Sequence, residues 1–179
     1  KGCTYRSAIG RPGSFYAVSF GPRNNVESSE IMVIRKANFD TDALSLVDGA
    51  RDFANRTVIK SLFPKDDKAF TAAIGRIMTL EGMEILVAEH EKHIVGGIGI
   101  LYAPFLWNPE ILVGDELFWW TARDAPFRAG RHLIDEAMKH INEKGAIPMF
   151  RSLATSPDGV EKLYRRIGLS RVETAFARL

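Results

Sequence analysis

The spacing of apolar residues changes several times along the chain, and each change predicts a different secondary-structure element. Apolar residues that recur every three or four positions predict helices, as Leu44, Val47 and Ala50 do, whereas continuous or alternating apolar runs predict strands. The predicted elements are, in order, a strand at 31–35, a helix capped by Asp40 or Thr41, a helix over 66–80, two strands within 83–103, a strand at 111–121, a helix ending at Gly145, a strand at 146–154, a helix within 156–168 and a strand at 169–179.

Turn-forming residues indicate where several of these elements end. Glu91 and Lys92 lie between two apolar runs and predict a tight hairpin turn. Gly145 fits the residue that ends a helix in a left-handed conformation, and Pro157 fits the first turn of the helix that follows. These local signals set the boundaries of the second half of the chain.

Two other stretches affect how the strands are assigned. Residues 104–110, with the sequence PFLWNPE, contain two prolines and are predicted to be a linker. Gly96, Gly97 and Gly99 lie inside a strand pattern rather than between a strand and a helix. They therefore indicate a β-bulge rather than a dinucleotide-binding loop.

The element order β-α-α-β-β-β-α-β-α-β predicts a mixed α/β (α+β) fold. Its first half is typical of antiparallel strands, and its second half contains a βαβ crossover, which is expected to be right-handed. Residues 1–31 are rich in Gly, Ser, Pro and Arg and predict a tail-like extension. Residues 32–179 are predicted to form the folded domain, and Met32 would serve as a natural start.

Charge and composition narrow the function classes. The chain has 24 basic and 22 acidic side chains, and its excess of basic residues lies within 1–31. A folded part without net charge disfavours nucleic-acid binding.

The longest uncharged run, 94–109, is interrupted by glycines and a proline, so no membrane span is expected. A single cysteine, Cys3, fits a reducing compartment such as the cytoplasm, and the histidines show no metal-ligand spacing.

Three segments are similar to a known family. The C-terminal run KLYRRIGLSRVETAFARL has Leu163, Tyr164, Gly168 and Leu169 where the family has Leu-Tyr-x-x-x-Gly-Phe before its last strand. ILVAEHEKHIVGGIGI looks like the family's hairpin, and MVIRKAN looks like its first strand. Over roughly residues 31–179 the chain resembles the GCN5-related N-acetyltransferases, the GNAT family. The resemblance implies a mostly antiparallel sheet with one βαβ crossover and flanking helices.

The resemblance also implies an acetyl-coenzyme A site between the fourth strand and the next helix. The family pattern there is Gln/Arg-x-x-Gly-x-Gly/Ala, and the window in this chain runs from Ala125 to Gly130. Only Gly130 fits, since Ala125 takes the Gln/Arg place and Arg128 the place of the first glycine. The loop is therefore degenerate.

The altered loop leaves two interpretations open. Helix N-termini bind phosphates through free N–H groups, and arginine side chains add charge-assisted contacts. We therefore predict that Arg128, Ala129, Gly130 and Arg131 bind the coenzyme. The alternative is that both arginines are solvated residues at the start of an ordinary helix.

Catalytic roles follow from the same resemblance. A tyrosine at the place of Tyr164 commonly protonates the leaving thiolate, and acidic residues placed like Glu116 serve as base in some relatives. A backbone amide on this strand polarises the thioester carbonyl, which suggests Trp120 by position. Strand alternation predicts that Glu116, Phe118 and Trp120 share one face. The alternatives are a packed tyrosine, a solvated acidic pair with Asp115, and a core tryptophan.

Together these points predict an N-acetyltransferase that transfers an acetyl group from acetyl-coenzyme A to a primary amine of a small molecule or a protein. No metal is expected to take part. The alternative is a non-catalytic module of the same fold that has lost acetyl-coenzyme A binding. Its basic arm, residues 1–31, would suit docking to a partner or assembly into a homodimer or larger complex.

Overall fold

The computed structural model of the protein describes residues 32–153, 156 and 159–172. This part of the chain forms a five-stranded sheet, four α-helices and a short 3-10 helix, which is the mixed α/β fold that the sequence predicts. The elements are β1 (Val33–Lys36), α1 (Phe39–Arg56), the 3-10 helix (Lys60–Leu62), α2 (Asp67–Met78), β2 (Met83–His90), β3 (His93–Phe105), β4 (Asn108–Thr121), α3 (Ala129–Glu143), β5 (Ile147–Met149) and α4 (Gly159–Arg166).

The strands lie in the sheet in the order in which they follow along the chain. The pairs β1–β2, β2–β3 and β3–β4 are antiparallel, whereas β4 and β5 are parallel and are connected through α3. The predicted antiparallel half and the βαβ crossover are therefore both confirmed. The crossover brings the end of β4, the start of α3 and the end of β5 to one region of the sheet.

The backbone conformation confirms several turns that the sequence predicts. Glu91 and Lys92 have φ values of 51° and 65°, as a two-residue hairpin turn with both central residues in the left-handed region requires. Gly145 has a φ of 67° just after α3. The β2–β3 register shifts where Ala88 pairs with Gly96 and the next residue, Glu89, pairs with Ile94, so the predicted bulge is confirmed.

Two local predictions were wrong. Residues 104–110 are not a linker, because β3 continues to Phe105 and β4 begins at Asn108, with only Leu106 and Trp107 forming the turn. Pro104 is tolerated beside a register irregularity in the ladder. The first helix begins at Phe39, one residue before Asp40, because the Asn38 side chain accepts a 2.9 Å hydrogen bond from the Asp40 N–H.

An ion pair beside the Asn38 cap joins the first turn of α1 to β1. Asp42 is 4% exposed and binds the guanidinium of Arg35 at 2.6 Å. The Asn38 N–H also donates to this carboxylate at 2.8 Å. The hydrogen bond from Arg35 lowers the pKa of Asp42 to about 2, so the pair stays charged and fixes α1 to β1.

The two faces of the sheet carry separate apolar clusters. On one face α3 buries Leu133, Ile134 and Ile141 against Ile98 and Ile100. On the other face α1 and α2 cover a second cluster, in which Leu46, Ile85 and Val87 are buried. On β2, Leu86 therefore packs on the α3 side, whereas its neighbours Ile85 and Val87 pack on the other side, as strand alternation requires.

Glycines provide the space in which the large side chains of β4 lie. A Cβ built on Gly99 would lie 2.4 Å from the Phe118 ring, and one on Gly97 would lie 3.1 Å from the Trp120 indole nitrogen. Gly49 of α1 approaches the same indole from above, where an added Cβ would lie 2.0 Å from a ring carbon. Trp120 is therefore clamped between α1 and the sheet.

We expect Gly49→Ala to lower the free energy of unfolding by about 1–3 kcal/mol, because the added methyl group displaces the Trp120 ring from a packed core. Urea denaturation measures this change. Gly75→Ala is the matched control, since an added Cβ on α2 meets nothing within 4 Å. It should be neutral or stabilise the helix by up to about 1 kcal/mol. Equal effects of the two substitutions would contradict the packing argument.

Some predictions lie outside the described residues. These include the 1–31 extension, Pro157 and most of the closing strand at 169–179, of which only 169–172 are described. None of the helices in the described part combines the length and apolar character needed to cross a membrane.

Candidate active site

The candidate site lies where β4 and β5 stop pairing. Their parallel ladder ends with Asp115 opposite Met149. Two residues beyond Met149, the Arg151 N–H donates to the Glu116 carboxylate at 3.0 Å, and the Arg151 guanidinium donates to the Glu116 carbonyl at 2.8 Å. Side-chain contacts thus replace the main-chain ladder at this point. In mixed and parallel sheets such ends of strands are common places for ligand sites.

A β-bulge precedes the aromatic residues of β4. Ile100 of β3 pairs with Glu116, and Gly99 pairs with Phe118, so Leu117 is left without a partner. Cross-strand partners share a face of the sheet, which puts Glu116 on the side of Ile100 and α3, and Phe118 on the side of Gly99 and α1. The predicted alternation is confirmed for Phe118 and Trp120, whose partners Gly99 and Gly97 lie on one face, but is wrong for Glu116, because the bulge places it on the other face.

Glu116 is a buried carboxyl group, with only 4% of its surface exposed. Burial raises its pKa to about 7, although the hydrogen bond from the Arg151 N–H and the charge of Arg151 partly oppose this rise. The carboxyl group is therefore divided between its two protonation states near neutral pH. A group with such a pKa can accept a proton at pH 7 and release it again.

Arg151 connects the other polar groups of the site. Its guanidinium binds both carboxylate oxygens of Asp115, at 2.5 and 2.7 Å. The Tyr164 hydroxyl, on α4, donates to the Arg151 carbonyl at 2.9 Å. Burial and the nearby Glu116 carboxylate raise the pKa of Tyr164, so its hydroxyl keeps its proton. The two predicted catalytic residues thus contact the same third residue.

Sequence reasoning did not select Arg151. Arg151 lies within the predicted strand 146–154, and no local signal indicates its pairing with Asp115, because this contact joins residues 36 positions apart.

A cavity of about 260 Å³ adjoins this cluster on the side of α1 and α2. Of its seventeen described lining residues, fourteen are apolar and three are Glu116, Arg151 and Ser156. Helix α1 contributes Leu46, Ala50 and Phe53, and α2 contributes Ile74, Ile77 and Met78. Glu116 borders the cavity at the end of the β4–β5 ladder and, with Arg151 and Ser156, is one of three polar residues in an otherwise apolar wall.

The predicted coenzyme loop forms the first turn of α3. Arg128 is the residue before the helix, and no side chain caps this end. The Ala129 N–H donates to the Pro126 carbonyl at 2.9 Å, and the His132 N–H donates to the Arg128 carbonyl at 3.0 Å. Within the described part of the chain, the N–H groups of Gly130 and Arg131 have no acceptor. They are free to bind an anion.

The two arginines of this loop differ in their contacts. The Arg131 side chain binds both oxygens of Asp135 at 2.8 Å, one turn further along α3. Arg128 is exposed and has no ion-pair partner among the described residues. Gly130 lies close to Trp119, since an added Cβ would meet its ring at 2.9 Å. The loop thus places the exposed guanidinium of Arg128 beside the N–H groups of Gly130 and Arg131, and none of the three groups has a partner among the described residues.

The tryptophans of β4 lie on opposite faces. Trp120, 7% exposed, packs against Gly49 and Gly97, and its backbone pairs with Gly97. Trp119 lies against Tyr164, with ring centres 6.5 Å apart, and its buried indole nitrogen has no hydrogen-bond partner within 32–153, 156 and 159–172. The side chain of Trp120 therefore belongs to the core, and any contact of this residue with a thioester would be made by its backbone.

One histidine differs from the surface or loop position expected for all four. His140 of α3 is half-buried and forms a short hydrogen bond to Glu84, while its other ring nitrogen lies 3.2 Å from Glu136. Glu84 is buried on β2, so this group supports the packing of α3 on the sheet. Among the described residues, no group of three or more His, Cys, Asp or Glu side chains is placed to hold a metal ion.

No protein-family model matches this sequence. No protein of curated function matches it either.

Solved structures do match the fold. A transcriptional regulator from Bacillus halodurans C-125 is 18% identical with a TM-score of 0.67, and the alignment covers 83% of this chain and 99% of that one. A ribosomal-protein-alanine N-acetyltransferase from Brucella melitensis biovar Abortus 2308 is 14% identical with a TM-score of 0.65 and the same coverage. A predicted acetyltransferase with acetyl-CoA from Clostridium acetobutylicum is 15% identical with a TM-score of 0.61, and the alignment covers 83% of this chain and 96% of that one. The chain therefore has the GNAT fold of these acetyltransferases.

Proposed function

We propose that the protein transfers an acetyl group from acetyl-coenzyme A to a primary amine. The observation that carries this proposal is the buried Glu116 carboxyl group, with a pKa of about 7, in a residue that lines a cavity beside the end of the β4–β5 ladder. An amine is protonated in water and must lose a proton before it attacks a thioester, so a base with this pKa fits the reaction. Acetyltransferases of the same fold, one of them with acetyl-CoA, support the choice of donor.

The start of α3 would hold the pyrophosphate of the coenzyme. The N–H groups of Gly130 and Arg131 have no acceptor among the residues that the structure describes, and the partial positive charge of a helix N-terminus favours an anion. Arg128 would add a charge-assisted contact in place of the glycine that the family has there. Ala129 contributes its position in the turn, because its N–H is already bound to Pro126.

The proposed transfer releases one proton to solvent overall. The acceptor amine gives up a proton to the Glu116 carboxylate, and its nitrogen forms a bond to the thioester carbonyl carbon. A backbone N–H of β4 near Trp120 would stabilise the oxyanion. When the carbon–sulfur bond breaks, the Tyr164 hydroxyl turns away from the Arg151 carbonyl and gives its proton to the thiolate. The acetylated nitrogen then loses its second proton, which restores Tyr164 through water, and Glu116 releases its proton to solvent.

Calorimetric titration of the intact chain with acetyl-coenzyme A tests the proposal, together with thiol release in the presence of a panel of primary amines. We expect saturable binding of one coenzyme per chain and amine-dependent thiol release. An intact chain that binds no acetyl-coenzyme A would overturn the proposal.

We expect Tyr164→Phe to lower kcat for acetyl transfer by roughly 100-fold, because the thiolate loses its proton donor. Acetyl-coenzyme A binding should change little. Tyr102→Phe is the matched control, since it removes a buried hydroxyl that has no hydrogen-bond partner and lies outside the cavity lining. If Tyr164→Phe turns over like Tyr102→Phe, Tyr164 is a packing residue and not the acid.

A non-catalytic module of this fold is the second candidate. It is favoured by the turn at Pro126, which occupies the Ala129 N–H, and by Asp135, which occupies the Arg131 guanidinium. Both features reduce what the loop offers to a pyrophosphate. Failure of acetyl-coenzyme A to bind would select this candidate, and deletion of residues 1–31 would then show whether the arm is needed for docking to a partner or for self-assembly.

A further inference from the structure

We propose that the acceptor is a small monoamine with a hydrophobic body, such as an unbranched alkylamine or an arylalkylamine. This inference rests on the proposed acetyl transfer and specifies the substrate class of the same site. It comes from the composition, charge and size of the cavity that Glu116 borders.

The walls of the cavity offer an acceptor almost no polar contact. Fourteen of the seventeen described lining residues are apolar. Hydroxyl groups or amides of a polar acceptor would lose their water there and find no hydrogen-bond partners, which costs free energy for each group. An alkyl or aryl body instead gains from leaving water and contacting these walls.

The charges of the cavity fit one ammonium group only. Glu116 is the only acidic residue among the described lining residues. Arg151 is the only basic one, and its guanidinium already binds Asp115. A polyamine would therefore leave its further cationic groups desolvated and unpaired. A single amine directed at Glu116, with its carbon chain between α1 and α2, leaves no charge unpaired.

The size of the cavity limits the body of the acceptor. Its volume of about 260 Å³ lies just below the roughly 300–1,000 Å³ of pockets for drug-sized ligands. Phe53 and Ile74, from α1 and α2, are among the residues that line it. A chain of several carbons or one aromatic ring fits this space, whereas a protein side chain attached to a folded domain would not place its backbone there.

A homologous series of alkylamines tests the inference. We expect kcat/KM to rise by about fourfold for each methylene from propylamine to hexylamine, as burial of each CH2 group predicts. Spermidine, a longer chain whose additional amines are also charged, should be acetylated at least tenfold less efficiently than hexylamine. A flat series, or a preference for spermidine, would overturn the inference while leaving acetyl transfer intact.

A pair of variants on α1 links the series to the cavity. Ala50→Phe places a ring in the cavity and should reduce the increase per methylene to less than twofold. Leu44→Phe places the same ring on the exposed face of the same helix, where Leu44 is 80% exposed, and should leave the fourfold increase unchanged. If Ala50→Phe also leaves it unchanged, the alkyl chain binds elsewhere and the inference is wrong.

Direct binding separates failure of this inference from failure of acetyl transfer. Trp119 and Trp120 line the cavity, whereas Trp107 is 83% exposed in the β3–β4 turn. In a Trp107→Phe background, hexylamine should therefore change the remaining tryptophan fluorescence saturably, and spermidine should not. This readout needs no coenzyme. Saturable hexylamine binding without turnover would refute only the proposed function, and absence of this binding would refute the inference itself.

Discussion

Replacement of Glu116 by glutamine should lower kcat/KM for acetyl transfer by roughly 100-fold to 10,000-fold, the range expected for loss of a general base. The amide cannot take a proton from the amine. It keeps an oxygen that can accept the Arg151 N–H, so the end of the β4–β5 ladder should remain closed. Acetyl-coenzyme A affinity, measured by calorimetry, should therefore stay within about threefold of that of the unmodified chain.

The pH dependence of the unmodified enzyme follows from the same group. Burial raises the pKa of Glu116 to about 7, so the fraction of ionised base increases through neutral pH. We expect kcat/KM to rise about tenfold per pH unit below pH 7 and to approach a plateau above it. A profile that stays flat from pH 5.5 to 8 would show that no group with this pKa takes part.

Glu116→Gln should also make the protein more stable at pH 8. Because its folded-state pKa of about 7 lies above the ordinary 4.5, the folded chain holds one more proton than the unfolded chain between these values. Stability is therefore lost as pH rises through this window, by roughly 3 kcal/mol in all. Urea denaturation should show that difference between Glu116→Gln and the unmodified chain at pH 8, and almost none at pH 4.5.

Glu84 provides the matched control, since it is a second buried glutamate of the sheet. Burial raises its pKa, but the hydrogen bond with His140 and the charges of Lys36 and Lys144 outweigh this effect, so the pKa lies below its ordinary value. Glu84→Gln should accordingly destabilise the protein at pH 8. If both glutamine variants destabilise the protein at pH 8, the Glu116 carboxylate stabilises the fold by its contact with Arg151, and the catalytic assignment fails.

The opposite behaviour of these two glutamates shows what the sequence could not predict. Both occur in strand patterns, and nothing local indicates that one lies among cations and the other among apolar groups. His140 was expected at the surface. Its contact with Glu84 joins residues 56 positions apart, so no local pattern indicates it. Such pairs depend on how α3 packs on the sheet, which single-sequence periodicity does not contain.

The order of the elements, by contrast, follows from local chemistry. Gly145 and the Glu91–Lys92 turn adopt left-handed conformations that the sequence signals directly. Leu117 has no such signal, because a bulge is defined by the partner strand, and its presence reverses the face on which Glu116 lies. Glu116 was therefore selected by resemblance to a family, although the alternation argument used beside it was wrong.

Arg128→Gln should weaken acetyl-coenzyme A binding roughly tenfold, as loss of one hydrogen bond to a charged phosphate predicts. Arg128 has no ion-pair partner among the described residues, so its guanidinium is available to the pyrophosphate without breaking another contact. The free N–H groups of Gly130 and Arg131 remain in the variant, and binding should be weakened rather than lost. Calorimetric titration with acetyl-coenzyme A measures the change in Kd.

Arg131→Gln, in the same turn, makes this prediction specific. The Arg131 guanidinium is already bound to Asp135 at 2.8 Å, so its removal should change the Kd by less than about threefold. A stronger effect of Arg131→Gln than of Arg128→Gln would mean that the coenzyme displaces Asp135 and that the i,i+4 pair is a property of the free chain. If neither substitution changes the Kd while the coenzyme still binds, backbone N–H groups alone hold the pyrophosphate, and the arginines did not replace the missing glycine.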